Sequence, residues 1–278
     1  MIVPRILGIV NVTRDSFSDG GKFLDPAAAV AHARQLLADG ADIIDIGAES
    51  THPDAEDVPA DVEIARLVPV IERLNADGVR VSVDTCKPAV IREALRLGAD
   101  FINDITALRD PDSVAAVRDS DAKLIIMHSW APAARAQRRA ADPATILDEI
   151  ICFFQERIAA LVADGLARER LILDPGMGFF LGSNPEASLV VLRDLGRLRV
   201  LDLPILISTS RKSFIGALLG GAETPRPVAE RGAGTLATEL WAAQHGAAYI
   251  RTHDACALHD ALTILAALNT EGGSSSPR

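Results

Sequence analysis

The chain has 278 residues, of which 49% are hydrophobic and 24% charged, and its formal net charge is -10. That is enough apolar mass for a full core in one large domain or two ordinary ones, and it is not the composition of a disordered chain. The acidic balance argues against a broad surface for nucleic acid or anionic lipid, so any phosphate site must be a local concentration of cations. Taken in order, short apolar runs of strand length fall at Ile6–Asn11, Ile43–Gly47, Val79–Asp84, Phe101–Ile105, Leu124–His128, Leu171–Asp174, Ile205–Ser208 and Ala248–His253. Several are entered through related helix exits, Asp39-Gly40, Asp77-Gly78, Gly98-Ala99 and His245-Gly246, where glycine suits the left-handed end of a helix.

Helix starts repeat as well. Asp25-Pro26, Asp110-Pro111, Asp142-Pro143 and Asn184-Pro185 each pair a capping side chain with proline in the first turn. The clearest amphipathic run is Asp142–Val162, with Leu147, Ile150, Ile151, Phe154, Ile158 and Leu161 on one face and Cys152 read as core filling. Eight strands alternating with helices predict a single-domain (β/α)8 TIM barrel over residues 1–270, followed by a disordered polar tail, 271–278. A doubly wound open sheet is the competitor. It is disfavoured because no Gly-x-Gly-x-x-Gly turn follows the first strand.

No signal-peptide layout opens the chain, and no apolar segment is long enough to span a bilayer. Cys86, Cys152 and Cys256 are scattered, with neither a disulfide framework nor zinc spacing. A cytoplasmic protein with no membrane or nucleic-acid partner is expected. Cys86 lacks an activating partner and reads as a packed thiol.

In a barrel all eight carboxyl ends converge on one mouth, and here they carry polar cargo. Leu203–Gly216 runs from apolar strand into Ser208, Ser210, Arg211 and Lys212, cations beside hydroxyls that suit an anionic ligand. Asp84, Asn103 and Asp174 offer carboxylate and amide groups to a flat heterocycle rich in N–H donors. Lys212, Arg251 and His253 read as cations for a phosphate or diphosphate, and Asn11 as an oxygen ligand for Mg²⁺. Each residue alone has a structural reading, as a helix cap or a satisfied buried group. Together they describe a site for a heterocycle that carries a phosphate leaving group.

Six segments make the sequence resemble the dihydropteroate synthase family over nearly its whole length. They are Asn11–Gly21 (NVTRDSFSDGG), Asp45–Pro53 (DIGAESTHP), Ser82–Lys87 (SVDTCK), Asn103–Ile105 (NDI), Leu173–Gly178 (LDPGMG) with Ser210–Gly216 (SRKSFIG), and Arg251–Asp254 (RTHD). The resemblance implies condensation of 6-hydroxymethyl-7,8-dihydropterin diphosphate with 4-aminobenzoate, with Mg²⁺-assisted departure of diphosphate and attack by the aromatic amine. It implies that Asp84, Asn103 and Asp174 hold the pterin edge, with Lys212 beside the ring and Met127 in the wall. Asn11, Arg251 and His253 would hold the diphosphate and its metal, Thr51 and Ser210 would face the aminobenzoate, and His52 stands where an arginine would face either diphosphate or aminobenzoate; Arg211 remains a candidate substrate-binding cation beside Lys212. By this resemblance Asn11, Lys212, Arg251 and His253 are the catalytic set, two loops close over the site, and the chain forms a homodimer.

Departures from the usual pattern fall mainly on the aminobenzoate side. Arg14 stands where the family has proline, Ala48 and Ser208 where it has glycine, and His52 where it has arginine. Gly178-Phe179-Phe180-Leu181 and Met127-His128-Ser129-Trp130 also differ. Several of these are similar to a sulfonamide-insensitive branch, which implies discrimination against sulfonamides. The alternatives are a pterin-dependent methyltransferase barrel, which does not need Ser210-Arg211-Lys212, and a noncatalytic pterin- or folate-binding paralogue.

Overall fold

A computed structural model describes residues 3–13, 25–50, 52, 55–129 and 141–269. Its strands are β1 (Arg5–Asn11), β2 (Ile43–Gly47), β3 (Val81–Asp84), β4 (Phe101–Asp104), β5 (Lys123–Met127), β6 (Leu171–Asp174), β7 (Leu206–Ile207) and β8 (Tyr249–Thr252). They form one parallel sheet in the order β6-β5-β4-β3-β2-β1-β8-β7. A parallel bridge from Leu173 to Ile205, with the Leu173 N–H donating to Pro204 O at 2.9 Å, joins the two ends. The result is the (β/α)8 barrel expected from the alternation.

The helices are α1 (Pro26–Ala38), α2 (Ala60–Ala76), α3 (Pro88–Arg96), α4 (Pro111–Arg118), α5 (Ile146–Ala163), α6 (Pro185–Arg193), α7 (Ser213–Gly220), α8 (Gly232–Gln244) and α9 (Ala255–Asn269). Asp25, Asp110 and Asn184 cap α1, α4 and α6 through side-chain bonds to backbone N–H groups, with proline next in line, as their spacing predicts. Asp142 does not cap α5. Its carboxylate accepts from Ala144 N at 2.9 Å and its carbonyl from Ile146 N at 3.0 Å, which makes a turn, and the helix starts at Ile146. The apolar face of α5 is buried as expected, but Cys152 is exposed beside it and fills no core. The β3 ladder begins at Val81 rather than Val79, because Val79 N–H closes the end of α2 on Leu74 O. The tail 271–278 and the first loop from Arg14 lie outside the described residues.

Side chains two apart on a strand share a face, so the barrel interior is built in layers. The lower layer is hydrocarbon: Leu7, Ile43, Phe101, Ile125, Ile172 and Leu206, with Tyr249 packed against them. Two residues further along the same strands stand Ile9, Asp45, Asn103, Met127, Asp174, Ser208 and Arg251. The interior therefore turns from apolar to polar and charged in one step toward the carboxyl ends.

Candidate active site

Three residues of the polar layer, Asp45, Asn103 and Arg251, form a hydrogen-bonded group with Ser82 and Asp84. Asp45, in the middle of the otherwise apolar β2, has no exposed surface. Its Oδ1 accepts from Ser82 Oγ at 2.5 Å, and its Oδ2 accepts from Arg251 Nε at 2.5 Å and, at the outer limit of 3.5 Å, from Asn103 Nδ2. The other end of the Arg251 guanidinium donates from Nη2 to Asp84 Oδ2 at 2.8 Å. Burial opposes the charge on Arg251, but Asp45 and Asp84 outweigh it and hold the guanidinium protonated. Burial raises the Asp84 carboxyl well above its ordinary range, against the pull of Arg251 and with a push from Asp45. Burial likewise lifts Asp174 to about 6, although Gly176 N–H donates to it at 2.8 Å.

Above this layer the chain turns sharply after β7. Arg211 lies in the left-handed region with φ 58°, a costly conformation for a side-chain-bearing residue. Neighbours hold it there: Arg211 N donates to Thr235 Oγ1 at 3.0 Å, and Arg231 Nη1 donates to Arg211 O at 2.9 Å. A methyl group at Gly216 would meet the Arg231 guanidinium at 2.6 Å, so only glycine lets that arginine lie against the turn. The turn presents Lys212, whose Nζ stands 5.0 Å from the Phe180 ring centre, a cation–π distance. Burial and then Arg251 lower Lys212 to about 8.

These groups surround a cavity of about 180 Å³ that opens to solvent. Asn11, His52, Asp84, Ser210, Arg211, Lys212, Arg251 and His253, all expected from the sequence, line it together. Asn103, Met127 and Asp174 are 4%, 4% and 5% exposed and are not among its walls. They belong to the polar layer that Arg251 spans. Thr51 lies outside the described residues.

Ser210 is engaged with its neighbour. Its Oγ accepts from His253 N at 3.1 Å and is bonded to His253 Nδ1 at 2.9 Å. The expectation of a cationic His253 is corrected here. Burial, reinforced by Arg211, Arg251 and Lys212, holds its imidazole well below the ordinary range, so the ring is neutral near pH 7. Asp104, next to Asn103, points out of the barrel and accepts from Thr106 and Leu108, steadying a turn with two left-handed residues. Cys86 is half-buried and its thiol is pushed up to about 12, chiefly by burial, in keeping with an inert packed group.

Three contributors escape the sequence reading. Asp45 and Arg231 are described above. The third is Lys87, whose Nζ donates to Glu49 Oε2 at 2.5 Å, Glu63 Oε2 at 2.8 Å and Val58 O at 2.7 Å. Glu49 in turn accepts from Val58 N at 3.1 Å, so this cluster ties the segment after β2 to α2. Ser50 and His52 on that segment line the cavity, and the His52 ring meets Phe179 edge-on at 5.8 Å.

Comparison with known proteins follows the same lines. The model of the pterin binding enzyme family matches residues 7–253. The type-2 dihydropteroate synthase of Escherichia coli is 51% identical over 264 residues, 95% of this chain and 95% of that protein. The Xanthomonas albilineans dihydropteroate synthase solved with 4-aminobenzoic acid superposes with a TM-score of 0.87 at 42% identity, over 97% of this chain and 94% of that one. The Yersinia pestis enzyme solved with a sulfonamide drug gives a TM-score of 0.88 at 38% identity, over 96% of this chain and 94% of that one.

Proposed function

The chain belongs to the dihydropteroate synthase family, and from that membership we propose how its barrel mouth divides the work between two substrates. The protein is a transferase that joins 6-hydroxymethyl-7,8-dihydropterin diphosphate to 4-aminobenzoate, forming a C–N bond and releasing diphosphate. The pterin ring enters the polar layer. Its N–H-rich edge donates to Asp84, Asn103 and Asp174, the acceptors that the site gathers at one depth. Met127 packs on the ring, with Ile105 and Phe180 in the same apolar cluster. Lys212 lies between the ring and the anion, and Arg211, Arg251 and His253 line the region of the diphosphate.

The neutral His253 serves as a hydrogen-bond donor to a phosphate oxygen, and the permanent charge comes from the arginines. Asn11, at the end of β1, is of the ligand type that suits Mg²⁺, which takes few protein ligands when a substrate phosphate supplies the rest. Bound Mg²⁺ would neutralise charge on the departing diphosphate. Thr51, His52 and Ser210 are assigned to the aminobenzoate side. A pterin cation at the methylene carbon must meet the amine before water, so a site deep in the barrel favours synthesis over hydrolysis.

The observation that carries this reading is the polar layer capped by cations. Turnover of both substrates with Mg²⁺ tests it: Asn103→Ala and Lys212→Ala should each lower kcat/KM by at least a hundredfold. Full activity in both variants would remove the assignment. Discrimination against sulfonamides rests on Phe179 and Phe180 in the cavity wall with His52 at Phe179. Sulfamethoxazole should inhibit this enzyme at least tenfold more weakly than the Yersinia pestis enzyme, and equal inhibition would reject the idea. A homodimer is supported by exposed Leu218 and Leu219 on α7 and Trp241 on α8, and sedimentation velocity tests it. Among the described residues no helix is long and apolar enough to cross a membrane. A cytoplasmic location, with no nucleic-acid partner, is proposed from the sequence character above.

A further inference from the structure

We infer that Asp45 is a positioning residue for pterin recognition, an internal anchor that orients Arg251 and Asn103 for a ring it never touches. The inference rests on the assignment of Asp84 and Asn103 to the pterin edge. Asp45 has no exposed surface and is not among the cavity walls, so it acts only through its neighbours. An ionised carboxylate is a pure acceptor, and three donors converge on this one, Ser82 Oγ, Arg251 Nε and Asn103 Nδ2.

Two consequences follow from that geometry. With Nδ2 of Asn103 directed at Asp45, the amide oxygen is the atom left to face a ligand, and an oxygen is what an N–H-rich edge requires. The reverse amide orientation would set donor against donor. The second consequence concerns Arg251. Its guanidinium donates an N–H to Asp84, the same kind of group that the heterocycle brings. Pterin binding must exchange one for the other. Because Arg251 is also held through Nε by Asp45, it can give up Asp84 and still remain a paired, buried cation. Without Asp45 the only carboxylate bonded to Arg251 among the described residues is Asp84, and pterin would have to strip a buried charge of its partner, which is costly.

The partner of Asp45 on β3 supplies a second handle. Ser82 stands opposite Asp45 in the β2–β3 register and fixes the carboxylate from the far side. Its removal should loosen the anchor without changing any charge.

The experiment compares wild-type enzyme, Asp45→Asn and Ser82→Ala. Thermal melting verifies folding, isothermal titration calorimetry gives the Kd for 6-hydroxymethylpterin, and steady-state kinetics give the KM of each substrate. The expected result for Asp45→Asn is a rise of at least tenfold in pterin Kd and in the KM for the diphosphate substrate, with the KM for 4-aminobenzoate within twofold. Ser82→Ala should move the same two constants in the same direction by about threefold, and it decides the matter if Asp45→Asn does not fold. Unchanged pterin constants in folded variants overturn the inference. An equal rise in both substrates' KM overturns it too, since that is the mark of general loosening. The pterin titration needs no turnover, so a wild-type chain that binds pterin without making product would refute the synthase mechanism and leave Asp45 to be judged on Kd.

Discussion

Lys87→Met tests whether the segment after β2 is held from inside the protein. Among the described residues Lys87 is the one cation bonded to both Glu49 and Glu63, and Glu63 is 1% exposed with its Oε1 making no hydrogen bond to any of them. Methionine keeps the length of the stem and removes the charge. Breaking a buried pair by deleting one partner costs about 3–5 kcal/mol. The Lys87 side chain is 24% exposed, so water relieves part of the loss, which places the expectation at about 3 kcal/mol. At roughly 2–4 °C per kcal/mol for a chain of this size, the melting temperature should fall by about 6–12 °C. Glu63→Gln added to Lys87→Met removes the stranded charge and should restore about 1 kcal/mol or more. Ser50 and His52 are carried on the same segment, so the KM for 4-aminobenzoate should rise more than that for the pterin substrate. Denaturant unfolding of the single and double variants, with both KM values, makes the test. A single variant within about 1 kcal/mol of wild type, or a double variant no better than the single, refutes the reasoning.

Three further outcomes follow from the site and its supports. In the free enzyme Asp84 and Asp174 must be ionised to accept and Lys212 protonated to attract the anion, with values near 7, 6 and 8, so kcat/KM for the pterin substrate should peak between about 7 and 8 and fall on either side; a profile flat from pH 5 to about 10 would contradict it. Ser208 Oγ is buried in the cavity wall without a hydrogen-bond partner among the described residues, so Ser208→Ala should leave the free enzyme as stable or about 1 kcal/mol more stable while weakening substrate binding; a loss of stability with unchanged KM values would show the hydroxyl to be satisfied within the protein. His128, lowered to about 4 by burial and then by Arg109, is neutral when folded, whereas the unfolded chain takes up its proton near pH 6.5. The unfolded state thus binds more of this proton between those values, and the His128 contribution to stability should drop by on the order of 3 kcal/mol as pH falls from about 6.5 to about 4. The carboxyls of Asp84, Asp104 and Asp174, raised by burial, act in the opposite direction in both chains, so the test is the difference between wild type and His128→Gln in urea unfolding against pH, and identical slopes would discount it.

Strand periodicity and the Asp-Pro and Asn-Pro helix starts made most of the barrel readable, because both are local signals. The mouth was readable for a topological reason: eight strand ends share one opening, so Asp84, Lys212, Arg251 and His253 had to be neighbours whatever their separation in the chain. What escaped depends on contacts across that separation. Asp45 lies inside an apolar strand, and only the polar break in Ile43-Ile44-Asp45-Ile46 hints at it. Lys87 reads as an ordinary residue before a helix until Glu49 and Glu63 are seen to meet it. His253 reads as a cation by residue type alone. Its neutrality comes first from burial and then from three cations that the fold brings close. Cys152 shows the opposite error, since a helical position next to an apolar stripe need not be buried.

The polar layer has no rationale in stability. One layer below it the same strands fill the barrel with Leu7, Ile43, Phe101, Ile125, Ile172 and Leu206, so hydrocarbon suffices to close the interior. The layer above, together with Asp84 and Lys212 beside it, sets three carboxylates, Asp45, Asp84 and Asp174, against two cations, Lys212 and Arg251. Buried ion pairs are often matched or bettered by apolar residues of similar volume, whereas deleting one partner is expensive. Arg251→Leu alone should therefore cost about 3 kcal/mol or more, because it strands Asp45 and Asp84 together. The double variant Asp45→Leu, Arg251→Leu should recover most of that, since Asp84 is already raised by burial and can take up a proton. It should fold about as stably as wild type and make no dihydropteroate. If the double variant loses as much as its single substitutions summed, the network itself stabilises the barrel and the layer needs no ligand to explain it. Recovery of stability without activity would mean that these charges are kept for the substrate alone.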